Sequence, residues 1–161
     1  MEKGKVIIIY GNGKGKTSSA IGKGIKNLGA GKSVNMIQFL KGSRENAVLD
    51  VLKKLEPDMK VFRFEKHMTK FSDLSDAEKE DELVNINNGK NFARKVLSTG
   101  SCDMLILDEI LGLVDRGIMS QDELVEFIRV KPDEMDLIIT GRVLCEGVRT
   151  LADEVYRIDE E

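Results

Sequence analysis

The run Gly11-Asn12-Gly13-Lys14-Gly15-Lys16-Thr17, followed by Ser18, is the most informative stretch of this chain for chemistry. Glycines let the backbone turn so that successive N–H groups converge on phosphate oxygens, and the start of a following helix adds partial positive charge. Lys16 then reaches a phosphate and the Thr17 hydroxyl suits Mg²⁺, which together make a phosphate-binding loop. The common pattern GxxxxGK[ST] would put glycine at position 10, where Tyr10 stands, so this loop is one residue short. A glycine turn that merely joins strand to helix is the plain alternative. It does not explain why Gly-Lys-Thr follows an apolar run.

Further along, Leu105-Ile106-Leu107 delivers two carboxylates, Asp108 and Glu109. A carboxylate at the end of such a strand, beside a phosphate loop, binds Mg²⁺ directly or through water. Glu109 can also take a ribose hydroxyl or act as a base, whereas by itself an aspartate here often only caps a turn. Ile138-Ile139-Thr140-Gly141-Arg142 presents an arginine at another strand end, either to clamp phosphate or to form a surface salt bridge. Gln38-Phe39-Leu40-Lys41-Gly42 offers Lys41 in the same way, as a phosphate or substrate contact or as a solvated lysine.

These residues need a scaffold that gathers strand ends. Val6–Tyr10 is a continuous β-branched run, suited to a strand covered on both faces. Lys16–Leu28 follows as a helix that Gly29-Ala30-Gly31 ends. Val34–Phe39 reads as a strand, Asn46–Leu55 as a helix, and Val61–Phe64 as a short strand behind Pro57. Ser75–Leu97 fits a long helix with one buried stripe. Met104–Leu107 is a strand, Ser120 and Glu123 form a capping-box pattern before the helix Leu124–Ile128, and Leu137–Thr140 is a strand. A short helix, Glu146–Leu151, and a last strand, Val155–Ile158, complete about six strands interleaved with helices, the pattern of an α/β sheet. The ligand crevice of such a sheet lies outside the carboxyl ends of its strands, where all four motifs fall. Glu65–Asp76 is the least regular part and is expected as a surface loop, with His67 an exposed histidine.

The 161 residues fit one domain, residues 1–161, with 41% hydrophobic and 33% charged residues, ordinary globular usage. A net charge of −3 argues against a nucleic-acid or membrane-surface role. Within it, Lys3, Lys5, Lys14, Lys16, Lys23, Lys26 and Lys32 face Glu2 alone over the first 32 residues, while Asp153, Glu154, Asp159, Glu160 and Glu161 face Arg157 at the other end. An anion site is therefore expected near the N-terminal end, centred on the glycine loop. There is no membrane-spanning run and no leader with a cleavage site, so a cytoplasmic protein is expected. Cys102 and Cys145, far apart and outside any CxxC, are expected as buried free thiols.

GNGKGKT, QFLKG, LILDE and ITGR, in this order and spacing, resemble the ATP:corrinoid adenosyltransferases of cobalamin synthesis and salvage, over roughly residues 5–158. The resemblance implies a RecA-like P-loop fold with a mostly parallel sheet and helices on both faces, usually dimeric. It implies attack by a reduced Co(I) corrinoid on the 5′ carbon of ATP, with Mg²⁺ as cofactor, release of triphosphate, and a flavoprotein as the external reductant. Gly11, Asn12, Gly13, Lys14, Gly15, Lys16, Thr17, Ser18 and Lys41 would then hold ATP, Thr17, Asp108 and Glu109 the metal, and Lys16, Glu109 and Arg142 would serve catalysis. Family members carry a Gly-Phe-Thr-Trp segment that packs against the corrinoid. This chain has no Trp and reads Phe64-Glu65-Lys66-His67-Met68-Thr69-Lys70-Phe71 instead, so Phe64, Met68 or Phe71 is either an apolar platform or core packing. Beside the family's N-terminal extension and basic tail, this sequence is expected to be a shortened member. An ATP-binding accessory or regulatory module without corrinoid activity and a P-loop kinase or NTPase are the competing readings. Their products with MgATP and reduced corrinoid would differ.

Overall fold

The computed structural model describes residues 2–41 and 47–161. Gly42 and Asn46, which the sequence assigned to the second motif and to a helix start, lie outside the described residues. In chain order the elements are β1 (Val6–Tyr10), α1 (Lys16–Gly29), β2 (Val34–Gln38), α2 (Ala47–Lys53), β3 (Met59–Phe62), α3 (Asp76–Thr99), β4 (Met104–Asp108), α4 (Ile110–Asp115), α5 (Gln121–Val130), β5 (Asp136–Gly141), α6 (Glu146–Arg149) and β6 (Glu154–Arg157). The strands form one sheet in the order β3-β2-β4-β5-β1-β6, and every paired neighbour is parallel.

Alternation along the strands builds two cores from continuous apolar runs. Val6, Ile8, Leu105, Leu107, Leu137 and Ile139 face one side, packed by α3, α4, α5 and α6. Ile7, Ile9, Met104, Ile106 and Ile138 face the other with Ala20 of α1 and Leu52 of α2. Ile8, Ile106, Leu107 and Ile139 are fully buried. Each such side chain contributes about 1.5–3 kcal/mol by leaving water, which explains why runs with no polar alternation are stable here. A Cβ at Gly24 of α1 would meet Ile106, Met59 and Val34 at 3.4 Å, ordinary van der Waals contact, so this face of the helix packs directly on the sheet.

Several elements differ from the sequence reading. β3 begins at buried Met59, which pairs with Val34 and fills the α1 side of the sheet, rather than at Val61. Methionine carries little strand preference, so propensity placed the strand too late. Phe64 has left the strand and packs on α3, its ring centroid 5.6 Å from that of Phe92. Helix α4 gave no recognisable period, being six residues long with only apolar neighbours to bury. Ser75 caps α3 with the full reciprocal box to Glu78. Ser120 instead accepts the Glu123 N–H, while the Glu123 carboxylate turns to Lys90 and Arg94 of α3, each at 2.9 Å. Residues 65–76 are largely exposed, as expected of a surface loop, but their start is tied down. Glu82 of α3, 2% exposed, accepts the backbone N–H groups of Lys66 and His67, and the half-buried His67 imidazole lies 3.6 Å from Glu78. Cys102 is buried as expected, and burial pushes its thiol up to about 11, but Cys145 is only half-buried.

Candidate nucleotide-binding site

The order of the sheet explains how the motifs meet. β5 lies between β1 and β4, so the glycine loop after β1 and the carboxylates after β4 flank a strand whose end is Thr140-Gly141. Tyr10 is still strand, paired with Gly141 and Arg157, and its hydroxyl accepts from the Arg149 guanidinium at 3.1 Å. The loop therefore begins only at Gly11, which accounts for its missing residue. Gly11 has φ 126° and Gly15 φ 103°, conformations that L side chains avoid. Gly15 is the N-cap of α1 without any side-chain cap, so the first-turn amides of Lys16, Thr17 and Ser18 have no intrahelical acceptor and are available to an anion. Lys16 is largely buried, with Nζ donating to the Gly13 carbonyl at 2.7 Å.

Asp108 is the hub. It is fully buried, and Thr17 Oγ1 donates to it at 3.0 Å, Thr140 Oγ1 at 2.7 Å and Gln38 Nε2 at 3.2 Å, with Lys41 Nζ 3.9 Å away. Thr140 Oγ1 also accepts the Glu109 N–H at 2.9 Å, and Glu109 takes a left-handed φ of 65°. That bond pins the peptide that turns the Glu109 carboxylate out of the strand, and α4 starts one residue later. Gln38 is held in turn by Arg63, whose Nε donates to Gln38 Oε1 at 2.7 Å. Behind Gly141 there is no room for a Cβ, which would sit 2.3 Å from Leu111 Cβ of α4.

A cleft of about 480 Å³ opens over these groups, lined by Asn12, Gly13, Lys14, Gly15, Lys16, Thr17, Ser18, Lys41, Glu109, Arg142 and Glu160. The loop, Lys41, Glu109 and Arg142 thus reach one cavity from four motifs, with Asp108 beneath it. Gly11 lies behind the loop, and neither Phe64 nor Phe71 lines this cleft. Both pack partly buried against the core on the α3 side. The expected cluster of N-terminal lysines is split. Only Lys14 and Lys16 face the cleft, while Lys3, Lys5, Lys23, Lys26 and Lys32 surround a second cavity of about 320 Å³ at the amino ends of the strands.

Gln38, Thr140 and Arg63 carry the site's hydrogen-bond framework without having drawn attention as functional residues. The first two stood inside recognised motifs, at the last positions of strands, and that was the available signal. Arg63 had none, because its contact depends on β3 lying beside β2. A hydroxyl, two carboxylates and phosphate oxygens are hard donors suited to Mg²⁺. Among the described residues no cluster of three or more histidine, cysteine or carboxylate side chains could hold a metal alone, so such an ion needs oxygens from its substrate as well.

A parallel sheet with a glycine loop, helix N-terminus and buried strand-end aspartate defines a P-loop nucleotide-binding protein of RecA-like fold. A KaiC-like protein from Pyrococcus horikoshii superposes with a TM-score of 0.65 at 15% identity, over 100% of this chain and 74% of that one. The flagellar accessory protein FlaH from Methanocaldococcus jannaschii gives 0.61 at 19%, over 98% and 72%. The family model described as ATP:corrinoid adenosyltransferase BtuR/CobO/CobP matches residues 2–161, and the chain belongs to that family. A corrinoid adenosyltransferase of Escherichia coli K12 is 31% identical across 98% of this chain and 77% of its own length. Corrinoid adenosyltransferase CobA of Salmonella typhimurium is 29% identical with the same coverage. No helix among the described residues is long and apolar enough to cross a membrane.

Proposed function

We propose that the chain transfers the 5′-deoxyadenosyl group of ATP to the Co(I) centre of a reduced corrinoid and releases triphosphate. The observation that carries this reading is the cation-lined cleft above buried Asp108, in a chain matched to the family over nearly its whole length. In the reaction the cobalt electron pair forms a Co–C bond at C5′ while the C5′–O bond breaks, its pair leaving with the triphosphate. No protein nucleophile is needed, because the corrinoid carries the hard chemistry.

The work left to the protein is to hold a leaving group that gains negative charge. The amides of Lys16, Thr17 and Ser18 with the Lys14, Lys16 and Arg142 side chains supply fixed positive charge where that increase occurs, the usual source of electrostatic catalysis. Lys41, placed between Asp108 and the cleft, adds to it. Thr17, Asp108 and Glu109 would hold Mg²⁺, which supplies further charge neutralisation. Gripping the phosphates at the loop leaves the ribose pointing outward toward the corrinoid. Phe64 and Phe71 would then contact the ring from outside the phosphate cleft. The family resemblance supports a flavoprotein reductant, pairing of two copies and a cytoplasmic setting, and two cores sharing one sheet support a single domain.

Incubation with MgATP and chemically reduced cob(I)alamin should yield adenosylcobalamin and triphosphate in equal amounts. ADP or orthophosphate as the product, or ATP binding without turnover, would overturn the reading.

A further inference from the structure

The segment that leaves β6 runs across the back of the glycine loop. Ile158 N–H donates to the Tyr10 carbonyl at 2.8 Å, Gly13 N–H donates to the Ile158 carbonyl at 2.9 Å, and Glu160 N–H donates to Asn12 Oδ1 at 3.3 Å. The approach is close enough to dictate residue type. A Cβ on Gly11 would lie 2.1 Å from the Ile158 oxygen, and one on Gly13 2.9 Å from the Asp159 carbonyl carbon. A Cβ on Gly15 would meet no atom of the described residues within 4 Å. The three glycines of the loop therefore answer different demands. Gly15 faces open space toward the cleft, while Gly11 and Gly13 make room for residues 158–160.

Gly13 is also the link to the principal cation, since its carbonyl accepts from Lys16 Nζ at 2.7 Å while its N–H is committed to Ile158. We infer that residues 158–160 are a positioning strap for the phosphate loop, acting through the Gly13 peptide on Lys16. The Gly13 amide does not itself contact phosphate. The strap's last contact, Glu160, reaches the rim of the same cleft. This inference rests on the loop being the triphosphate site, but its central claim concerns the protein without ligand.

Amide hydrogen exchange of the full chain, followed by NMR with and without MgATP, tests it. Expected is a Gly13 amide already protected in the free protein and little changed by MgATP, whereas the amides of Lys16, Thr17 and Ser18 gain protection only with nucleotide. A Gly13 amide that exchanges freely until MgATP is added would overturn the inference. Gly13→Ala gives a second arm, because Gly13 has no positive φ and the substitution acts through contact alone. In the free variant the Ile158 and Glu160 amides should shift and lose protection, and the Kd for MgATP should rise about tenfold. Lost MgATP binding with an unmoved strap would assign Gly13 to the phosphate and sink the inference. If wild-type protein fails to bind MgATP, the functional reading falls, while the exchange pattern of the free protein still decides the strap.

Discussion

The two ends of the parallel sheet carry similar cations and differ in what those cations face. At the amino ends, Lys5 pairs with Glu154 at 2.8 Å, Lys23 lies over the Tyr156 ring, and Glu2, Glu134 and Asp136 share the cavity. At the carboxyl ends, Lys14, Lys16, Lys41 and Arg142 share their cleft with Glu109 and Glu160, above a helix N-terminus and a buried aspartate. Lysines at the amino ends are matched by carboxylates. Those at the other end converge with backbone amides on a volume suited to polyphosphate. Strand direction decides between them, because only the carboxyl ends receive the loop and the helix dipole.

The sharpest way to break this contrast is paired substitution. Lys16→Ala should weaken MgATP binding or turnover by about a hundredfold or more, as loss of a preorganised cation does, while Lys26→Ala at the amino ends should change either by less than about twofold. Comparable losses in a nucleotide titration would erase the distinction. Glu109→Gln is expected to lower Mg²⁺-dependent turnover by about tenfold or more with little effect on thermal unfolding.

Thr140→Val keeps the shape but removes both the donor to Asp108 and the acceptor for Glu109 N–H, so the Mg²⁺ concentration for half-maximal activity should rise by roughly tenfold and Thr140→Ser should restore it. A valine variant with an unchanged Mg²⁺ requirement would reduce Thr140 to packing. Arg142→Ala should raise the KM for ATP by a few fold, about 1 kcal/mol for an exposed cation, and an unchanged KM would place Arg142 outside the phosphate grip.

The smallest effect belongs to the amino ends. Hydrogen bonds from Lys5 and then Tyr156 hold the Glu154 carboxyl below its ordinary 4.5, and Glu154 in turn raises Lys5 above 10.5. The stabilisation from Glu154 is thus present above about pH 4.5 and lost as pH falls through its lower folded value, while that from Lys5 is present below 10.5 and lost as pH rises through its higher one. Glu154→Gln should lower Tm by no more than a degree or so near neutral pH, and the difference should vanish in acid. A larger drop would mean the amino-end cluster matters more than a solvated ion pair does.

Much of this was legible in the chain. β1, α1, β2, β4 and β5 were marked by apolar runs and glycines within a residue or so of their ends, since buried parallel strands need largely apolar sequence. That Lys16, Thr17, Asp108, Glu109, Lys41 and Arg142 would come together was legible because strand-end motifs on a parallel sheet have only one edge to share. β3 was misjudged by two residues because register against β2, and not propensity, fixed its start. Helix α4 stayed hidden because six residues, Asp115 alone among them charged, are too few to show a period.

By itself the sequence determined an α/β sheet, a glycine loop one residue short of the common GxxxxGK[ST] pattern and the family to which the chain belongs, because these depend on local residue order and spacing. Only the tertiary structure decided which lysines face the carboxyl-end cleft, that Thr140 joins Asp108 to Glu109, and that Ile158 occupies the Gly13 amide. Each of those depends on which strands lie side by side, and strand order is set by packing of the whole sheet rather than by any stretch of neighbouring residues.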